Sequence, residues 1–426
     1  MTVADDAGLP AREAAAQILE TALARRAGLD EALAGGAAAR LPPRERAFAR
    51  ALAMAALRRL GVIDRMLEPR LRRPPPERVR TLLRLGAAQL FWLDVPDHAA
   101  VSTTVALADR DRATRPFKGL VNAVLRGLLR DGPPADDPAA LAPPWLLARW
   151  TAAYGPEAAG QIAAAIAREP ATDLSLRDPA EAGAVAAALE GDVLPGGGVR
   201  TTRRGDLADW PGYAEGRWWV QDAGAAIPAR LLAVGPGETA LDLCAAPGGK
   251  TLQLAAAGAA TVAVDRSAER LKRLSANLER VGLAAEVHAA DAAAWNDGRR
   301  FDAVLLDAPC SATGTFRRQP DVLWTAAPGD IARLAQVQAR LLEAAADRVK
   351  PGGRLVYCVC SLEPEEGEAQ VRAFLARRAD FRPAPPAPGE GGAPAASLTP
   401  DGWLRILPHH LAGGIDGFFA ARLTRA

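Results

Sequence analysis

Residues 238 to 360 alternate short apolar stretches with amphipathic ones, and this alternation restricts the fold more than any other feature of the chain. The apolar stretches read ETALDLC, TVAVD, AEVHAAD, FDAVLLD and GRLVYCVC. Between them lie TLQLAAAG, SAERLKRLSANLERVG and IARLAQVQARLLEAAADRVK, in which apolar residues recur at helical spacing. Strands that alternate with helices predict a doubly wound parallel sheet of the Rossmann-like kind, which binds ligands beyond the carboxyl ends of its strands.

The chain before this region has a different pattern. Five stretches up to residue 133 show helical spacing and are separated by prolines, which predicts an all-α helical bundle. A proline-rich stretch, DGPPADDPAALAPP, then precedes a region that mixes helices with short strands. We therefore expect three domains: a helical bundle at 5–133, a small α+β module at 141–215, and the α/β domain at 216–426.

Two further stretches bear on the surface of the protein: the tryptophan pair at 218 and 219, and residues 382 to 400. Trp218 and Trp219 lie on a predicted strand, where they either belong to the core or form a platform on which bases stack. Residues 382 to 400 contain few bulky apolar side chains. That composition predicts a mobile surface loop.

Composition narrows the class of protein. The chain has 426 residues, 49% of them hydrophobic and 24% charged, and no uninterrupted apolar run of membrane-spanning length. Its start lacks the basic and apolar regions of a signal peptide, so we expect a cytoplasmic protein that acts without a membrane. Four cysteines at these spacings predict free thiols and no metal site. We expect the chain to act as a monomer.

Charge is distributed unevenly along the chain. The net charge is +2, but residues 1 to 130 hold 22 basic against 14 acidic residues and so carry +8. A basic first domain is typical of proteins that bind nucleic acid. Arg outnumbers Lys 48 to 4 across the chain, however, which also fits a general bias in composition. Charge alone leaves both interpretations open.

The carboxyl ends of the predicted strands carry groups that suit an adenosine cofactor. The first strand leads through two glycines into a helix, and this arrangement allows the backbone to approach a ligand closely. Asp265 ends the second strand, where a carboxylate can accept both ribose hydroxyls, and Asp291 ends the third strand, near the adenine edge. NAD is the alternative on geometry, although the chain lacks G-x-G-x-x-G here. The loop consists of Cys244, Ala245, Ala246, Pro247, Gly248, Gly249 and Lys250.

Two cysteines follow the next two strands. Cys310 comes three residues after Asp307, which ends the strand FDAVLLD, and Cys360 ends GRLVYCVC. Thiols at strand ends beside a carboxyl group suggest covalent catalysis. We interpret Cys358 as a packed residue and Cys244 as a structural part of the cofactor loop.

Several motifs of the chain carry a family resemblance. The chain resembles the Sun-type RNA cytosine-5 methyltransferases in five stretches: DLCAAPGGKT, VDRSAERL, LLDAPCSATGTFRRQPDVLW, VYCVCSLEPEEGE and DGFFAARL. It also resembles the NusB-like RNA-binding helical domain, in the stretches RLGAAQLFWLDVPDHAAVSTTVALAD and KGLVNAVLRGLLR. The whole chain is thus similar to bacterial 16S rRNA cytosine-5 methyltransferases, except at residues 382 to 400.

The resemblance implies a cofactor, a substrate and roles for single residues. S-adenosyl-L-methionine is the implied cofactor, held by the loop 244–250 with Asp265, Asp291 and Asp307, and 16S rRNA or its small-subunit precursor is the implied partner. Cys360 is the implied nucleophile and Cys310 assists product release. Val359 stands where the family usually has threonine, so we expect different hydrogen bonding there.

The chemistry of cytosine explains why these groups would be needed. Carbon 5 attacks a methylsulfonium only after a thiolate, here Cys360, has added at carbon 6. A protonated Asp307 would stabilise the charge that develops at ring N3, and Cys310 would remove the carbon-5 proton directly or through a water molecule. Arg317 and Arg318, just beyond the cysteine loop, are candidate phosphate contacts. The alternatives are the same chemistry on tRNA or another rRNA, or an RNA-binding scaffold without turnover.

Overall fold

The computed structural model describes residues 8–24, 28–135 and 137–426, which form two compact units. The first unit comprises Met1–Glu169 with Phe316–Ala326, and the second comprises Pro170–Thr315 with Ala327–Ala426. The start of the predicted bundle at residue 5 lies outside the described residues. The division into three domains at 5–133, 141–215 and 216–426 stays a prediction.

The first unit is helical, as its spacing of apolar residues predicts. Its helices are α1 (Leu9–Ala24), α2 (Gly28–Ala34), α3 (Pro43–Arg58), α4 (Leu60–Leu67), α5 (Glu77–Trp92), α6 (Asp97–Arg110), α7 (Lys118–Asp131) and α8 (Pro144–Ile166). Leucine and alanine side chains of α1, α3, α5 and α7 form its core. Helix α8 is broken at Gly155, whose φ of 83° is not helical and which precedes Pro156.

A distant segment completes the first unit. Residues 316 to 326, which contain the short helix α13 (Val322–Thr325), belong to it rather than to the second unit. The Phe316 ring lies 6.1 Å from that of Trp150, and Arg58 donates a hydrogen bond of 2.7 Å to the carbonyl of Arg317. Buried Asp321 accepts from the backbone N–H of Leu29 at 3.4 Å. Nothing in the sequence pattern indicated this placement, because contacts between residues so far apart in the chain leave no local signal.

A small sheet opens the second unit. Its strands β1 (Thr172–Leu176), β2 (Asp192–Val193), β3 (Val199–Thr201) and β4 (Trp218–Val220) pair in the order β2-β3-β1-β4, and helix α9 (Ala182–Ala188) packs beside them. Trp218 and Trp219 are 0% and 3% exposed. They therefore belong to the core, and the interpretation as a base-stacking platform is wrong.

The large sheet has the predicted doubly wound part and an antiparallel extension. Strands pair in the order β10-β12-β9-β8-β5-β6-β7, with β11 on β12; β5 to β9 run parallel, whereas β10, β11 and β12 pair antiparallel. The strands are β5 (Thr239–Leu243), β6 (Ala260–Asp265), β7 (Glu286–Ala289), β8 (Phe301–Asp307), β9 (Val349–Val359), β10 (Phe381–Pro383), β11 (Leu404–Ile406) and β12 (Phe418–Arg425). The helices are α10 (Ala223–Leu231), α11 (Gly249–Ala256), α12 (Ala268–Val281), α14 (Pro328–Asp347) and α15 (Glu368–Arg377). The predicted fold class, a helical bundle followed by a Rossmann-like α/β domain, is confirmed.

Residues 382 to 400 differ from the prediction of a mobile surface loop. Glu390 pairs with Arg422 of β12, and Ser397 is 1% exposed. Arg422 also donates to the carbonyl of Ala384 at 3.1 Å. The segment is packed because its carbonyls and one carboxylate bind an arginine of the sheet, and its low content of bulky residues gave no sign of that.

Candidate active site

The loop after β5 is tightly packed against the protein, and the predicted close approach of a ligand there stays a prediction. Cys244 and Gly248 adopt positive φ of 61° and 108°, and Gly249 begins α11. A Cβ on Gly248 would lie 2.7 Å from Cγ of Leu274, so a larger residue would collide with helix α12 as well as strain the backbone. The N–H groups at the start of α11 form the N-terminal end of the helix, which favours a negatively charged group nearby.

The two predicted cofactor acids lie in different environments. Asp265 is 3% exposed, and its carboxylate accepts hydrogen bonds from the N–H groups of Ala246 at 3.1 Å and Ser267 at 2.9 Å. Asp291 is exposed and accepts from the Ala293 N–H at 3.0 Å. Asp265 therefore fixes the loop of residues 244 to 250 to the end of β6, a role that its position in the sequence did not indicate, and Asp291 caps the turn after β7.

Lys250 and Asp307 form an ion pair. The Nζ of Lys250 lies 2.7 Å from Oδ2 of Asp307, and Cys358 Sγ donates to Oδ1 at 3.5 Å. Burial lowers the pKa of Lys250, but nearby negative charge, chiefly that of Asp307, outweighs burial and raises it above its ordinary value. Lys250 thus stays charged, and it links the loop of residues 244 to 250 to the strand-end acid Asp307.

Beneath this pair lies a buried acid that the sequence pattern did not single out. Asp242, in β5, is 0% exposed and accepts a hydrogen bond of 2.6 Å from the hydroxyl of Thr251. Burial, with a smaller contribution from Asp307, raises its pKa to about 7 although the Thr251 bond opposes this. Its position inside an apolar strand could have drawn attention to it, since acids are rarely buried without a partner.

The two cysteines meet. Adjacent parallel strands β8 and β9 bring Asp307 opposite Cys358 and place Cys310 and Cys360 beyond the strand ends, where their sulfur atoms lie 3.4 Å apart. The hydrogen bond with Cys360, followed by burial, raises the pKa of the Cys310 thiol well above its ordinary value. Gly314 N–H donates to the Cys360 carbonyl at 3.0 Å, so the backbone also joins the two segments.

Arg317 and Arg318 belong to the first unit, whereas the groups above belong to the second. Arg317 is 3% exposed, and Arg318 is half-buried. The burial of Arg317 does not favour a phosphate contact, and the RNA-binding role of both arginines stays a prediction. No group of metal-ligating side chains occurs among the described residues, and none of the helices described there is long and apolar enough to cross a membrane.

Comparison with known proteins identifies the family of this chain. The family described as 16S rRNA methyltransferase RsmB/F matches residues 229–424, and the NusB family matches residues 9–130. The ribosomal RNA small subunit methyltransferase B of Xanthomonas campestris is 39% identical over 440 residues, which cover 99% of this chain and 98% of that protein. This chain belongs to the RsmB/F methyltransferase family. Its Pseudomonas syringae relative of the same name is 40% identical over 82% of this chain and 81% of that protein.

Solved structures share the fold of this RsmB/F-family chain. The crystal structure of PH0851 has a TM-score of 0.79 at 23% identity and covers 97% of this chain and 98% of that one. A methyltransferase homologue from Pyrococcus horikoshii has a TM-score of 0.55 at 26% identity, over 66% of this chain and 94% of that one. Membership of this family makes the chain an S-adenosylmethionine-dependent RNA methyltransferase, which removes NAD as the alternative cofactor.

Proposed function

We propose that this protein methylates carbon 5 of a cytosine in 16S rRNA, through a covalent bond between Cys360 and carbon 6. The observation that carries the proposal is the contact of Cys310 and Cys360, 3.4 Å apart, beyond the strand that Asp307 ends. The names of the relatives, which act on small-subunit ribosomal RNA, support the substrate.

The cofactor loop supplies the methyl donor's site. S-adenosylmethionine provides an electrophilic methyl group when bound, and the proposed contacts are residues 244–250, Asp265, Asp291 and Asp307. The N-terminus of α11 suits its carboxylate part, and the carboxyl ends of the parallel strands suit its adenosyl part. Because both oxygens of Asp265 already accept backbone hydrogen bonds, a ribose contact there would use its remaining lone pairs.

Cys360 begins the reaction as a thiolate. Its sulfur adds to carbon 6 of the cytosine and forms a C–S bond, and the electron pair of the 5,6 double bond then makes carbon 5 nucleophilic toward the methyl group. The Asp307 carboxylate, which is paired with the Nζ of Lys250 at 2.7 Å, takes up a proton from solvent when the cytosine binds and donates it to ring N3 during the addition; Lys250 then stabilises the carboxylate that is left. Reaching a base this way requires the target cytosine to leave its stack.

Cys310 completes the reaction by removing the proton from carbon 5. In the free site the hydrogen bond to Cys360 is the largest cause that raises its pKa. Once Cys360 has become a thioether it no longer shares a proton with Cys310, so this largest cause is weakened and Cys310 ionises more readily than in the free site. The resulting thiolate takes the carbon-5 proton, the double bond re-forms, and the Cys360 sulfur leaves.

The substrate can be tested in cells. Bisulfite sequencing of ribosomal and transfer RNA would compare a strain that lacks this protein with its parent and with a strain complemented by Cys360→Ala. We expect one 16S rRNA cytosine to lose its protection from bisulfite in both the deletion and the Cys360→Ala strain. Loss of protection only in tRNA or in 23S rRNA would contradict the proposed substrate. A cytoplasmic site of action and a monomeric state remain predictions.

A further inference from the structure

A buried carboxylate lies beneath both cysteines. Glu366 is 0% exposed. It lies in the stretch that follows Cys360, yet its side chain reaches the residue after each cysteine, Ser311 and Ser361. Neither the proposed chemistry nor the cofactor site uses it.

The side chain of Glu366 is surrounded by hydrogen-bond donors. The backbone N–H of Ser311 donates to its two carboxylate oxygens at 2.8 and 3.1 Å, and the hydroxyl of Ser311 makes a further short hydrogen bond. The hydroxyl of Ser361 donates at 2.5 Å, and the Nε2 of Gln338 donates at 3.0 Å. Hydrogen bonds to a carboxylate are stronger than those between neutral groups, so this carboxylate holds the two cysteine segments firmly.

Glu366 is itself held in place. Its backbone carbonyl accepts a 2.5 Å hydrogen bond from the Tyr357 hydroxyl, and Tyr357 is 0% exposed on β9. Gln338 also donates to the carbonyl of Pro309, the residue before Cys310, at 2.9 Å. The carboxylate therefore joins the Cys310 loop to the Cys360 strand end from a fixed position in the core.

We propose that Glu366 is a positioning residue that sets the separation and orientation of the Cys310 and Cys360 thiols. A glutamine there would turn an amide NH₂ toward groups that themselves donate, because a carboxylate only accepts whereas an amide does both. An aspartate would keep the charge, but its side chain is shorter by one methylene and would place the carboxylate farther from these donors. The inference rests on the proposed function only in that the two thiols are taken as the reacting groups.

Disulfide formation between the thiols measures their geometry without any catalysis. Diamide takes one proton and one electron from each thiol, a bond forms between the sulfurs, and the reagent is reduced to the hydrazine. The full-length protein would be treated briefly, quenched with an alkylating agent and digested, and the Cys310–Cys360 linkage would be quantified by mass spectrometry. A disulfide accepts only a narrow range of geometries, so its rate reports the position of both sulfurs.

We expect rapid linkage in the wild type, linkage at least about tenfold slower in Glu366→Gln, and an intermediate rate in Glu366→Asp. Asp302→Asn is the matched control, because Asp302 is also a carboxylate bound by several donors, Thr239 and Lys350, at the opposite end of β8. That variant should link at the wild-type rate. Binding of S-adenosylmethionine, measured by calorimetry, should be unchanged in all four proteins and serves as the test of folding.

Activity separates this inference from the proposed function. Glu366→Gln should lower kcat by about ten- to hundredfold with little change in KM for RNA, since the thiols act after binding. Equal linkage rates in wild type and both Glu366 variants, or no linkage in the wild type, would overturn the positioning role. Slow linkage in Glu366→Gln, together with a wild type that makes no 5-methylcytosine, would uphold it and reject the proposed function.

Discussion

The four cysteines show how the environment of a residue decides its chemistry. Cys358 is buried beside Asp307, and burial raises its pKa well above the ordinary value. Burial likewise raises the pKa of Cys244 to about 12. The pKa of Cys310 is raised as well, so the pKa alone does not separate the packed thiols from the proposed reacting ones, and position does. Cys310 and Cys360 are the pair that the strand ends bring into contact.

Asp242 gives a prediction for stability. The folded chain binds its proton with a pKa of about 7, whereas an unfolded aspartate has a pKa of about 3.9. Between these values the folded state holds a proton that the unfolded state has lost, so the contribution of Asp242 to the free energy of unfolding falls as pH rises. Asp242→Asn removes this pH dependence. The free energy of unfolding of Asp242→Asn, measured relative to that of the wild type, should therefore increase by about 1–4 kcal/mol from pH 4.5 to pH 8.

Denaturant unfolding at the two pH values measures this difference. Asp302→Asn is the control, because hydrogen bonds from Lys350 and Thr239 lower the pKa of Asp302. The contribution of Asp302 to the free energy of unfolding is complete above the pKa that aspartate has in the unfolded chain, and it is lost only in more acidic solution. The Asp302 variant should thus show little shift over the same range. A stability difference for Asp242→Asn that did not vary with pH would mean that Asp242 is ionised throughout.

At the scale of elements, the loop between β5 and α11 depends on glycine at one position. Gly248→Ala would place a Cβ 2.7 Å from Leu274 Cγ at a φ of 108°. We expect a decrease of about 1–3 kcal/mol in the free energy of unfolding and weaker binding of S-adenosylmethionine. Gly298→Ala is the control, since Gly298 has a φ of 82° but no neighbour within 4 Å. Equal cofactor affinity in both variants would remove the loop from the binding site.

The elements also show what a sequence can predict. The parallel strands and helices of the second unit repeat patterns that are local in the chain, so β5 to β9 could be predicted, and with them the edge of the sheet where the candidate site lies. The ion pair of Lys250 with Asp307 and the bonds of Glu366 join residues far apart in sequence, and residue types alone do not specify them. The placement of residues 316–326 in the first unit and the packing of residues 382–400 depend on such distant contacts as well.

At the scale of the whole molecule, basic charge is concentrated in the helical unit. Helix α3 exposes Arg44, Arg46 and Arg50. If these side chains neutralise RNA phosphates, the triple substitution by glutamine should weaken RNA binding. The slope of log affinity against log salt should then decrease by about 0.7–0.9 for each phosphate that is no longer neutralised. Filter binding over a range of salt concentrations measures the slope. Point substitutions are preferable to deletion of the helices, because residues 316–326 pack within the same unit.

The control for this prediction changes net charge equally in the second unit. Arg372, Arg377 and Arg382 are exposed there, and their substitution by glutamine should leave the salt slope near the wild-type value. An equal decrease in both triple variants would mean that total charge, and not the helical unit, determines the affinity.

Cys360 is proposed to form the first bond to the base, and Cys310 to resolve it. The most direct measurement incubates the full-length protein with S-adenosylmethionine and 16S rRNA, then separates covalent protein–RNA complexes under denaturing conditions. Cys310→Ala should accumulate a complex that contains 5-methylated, unreleased cytosine, whereas Cys360→Ala and the double variant should form neither the complex nor 5-methylcytosine. A covalent complex in Cys360→Ala and none in Cys310→Ala would contradict this division of roles and make Cys310 the nucleophile.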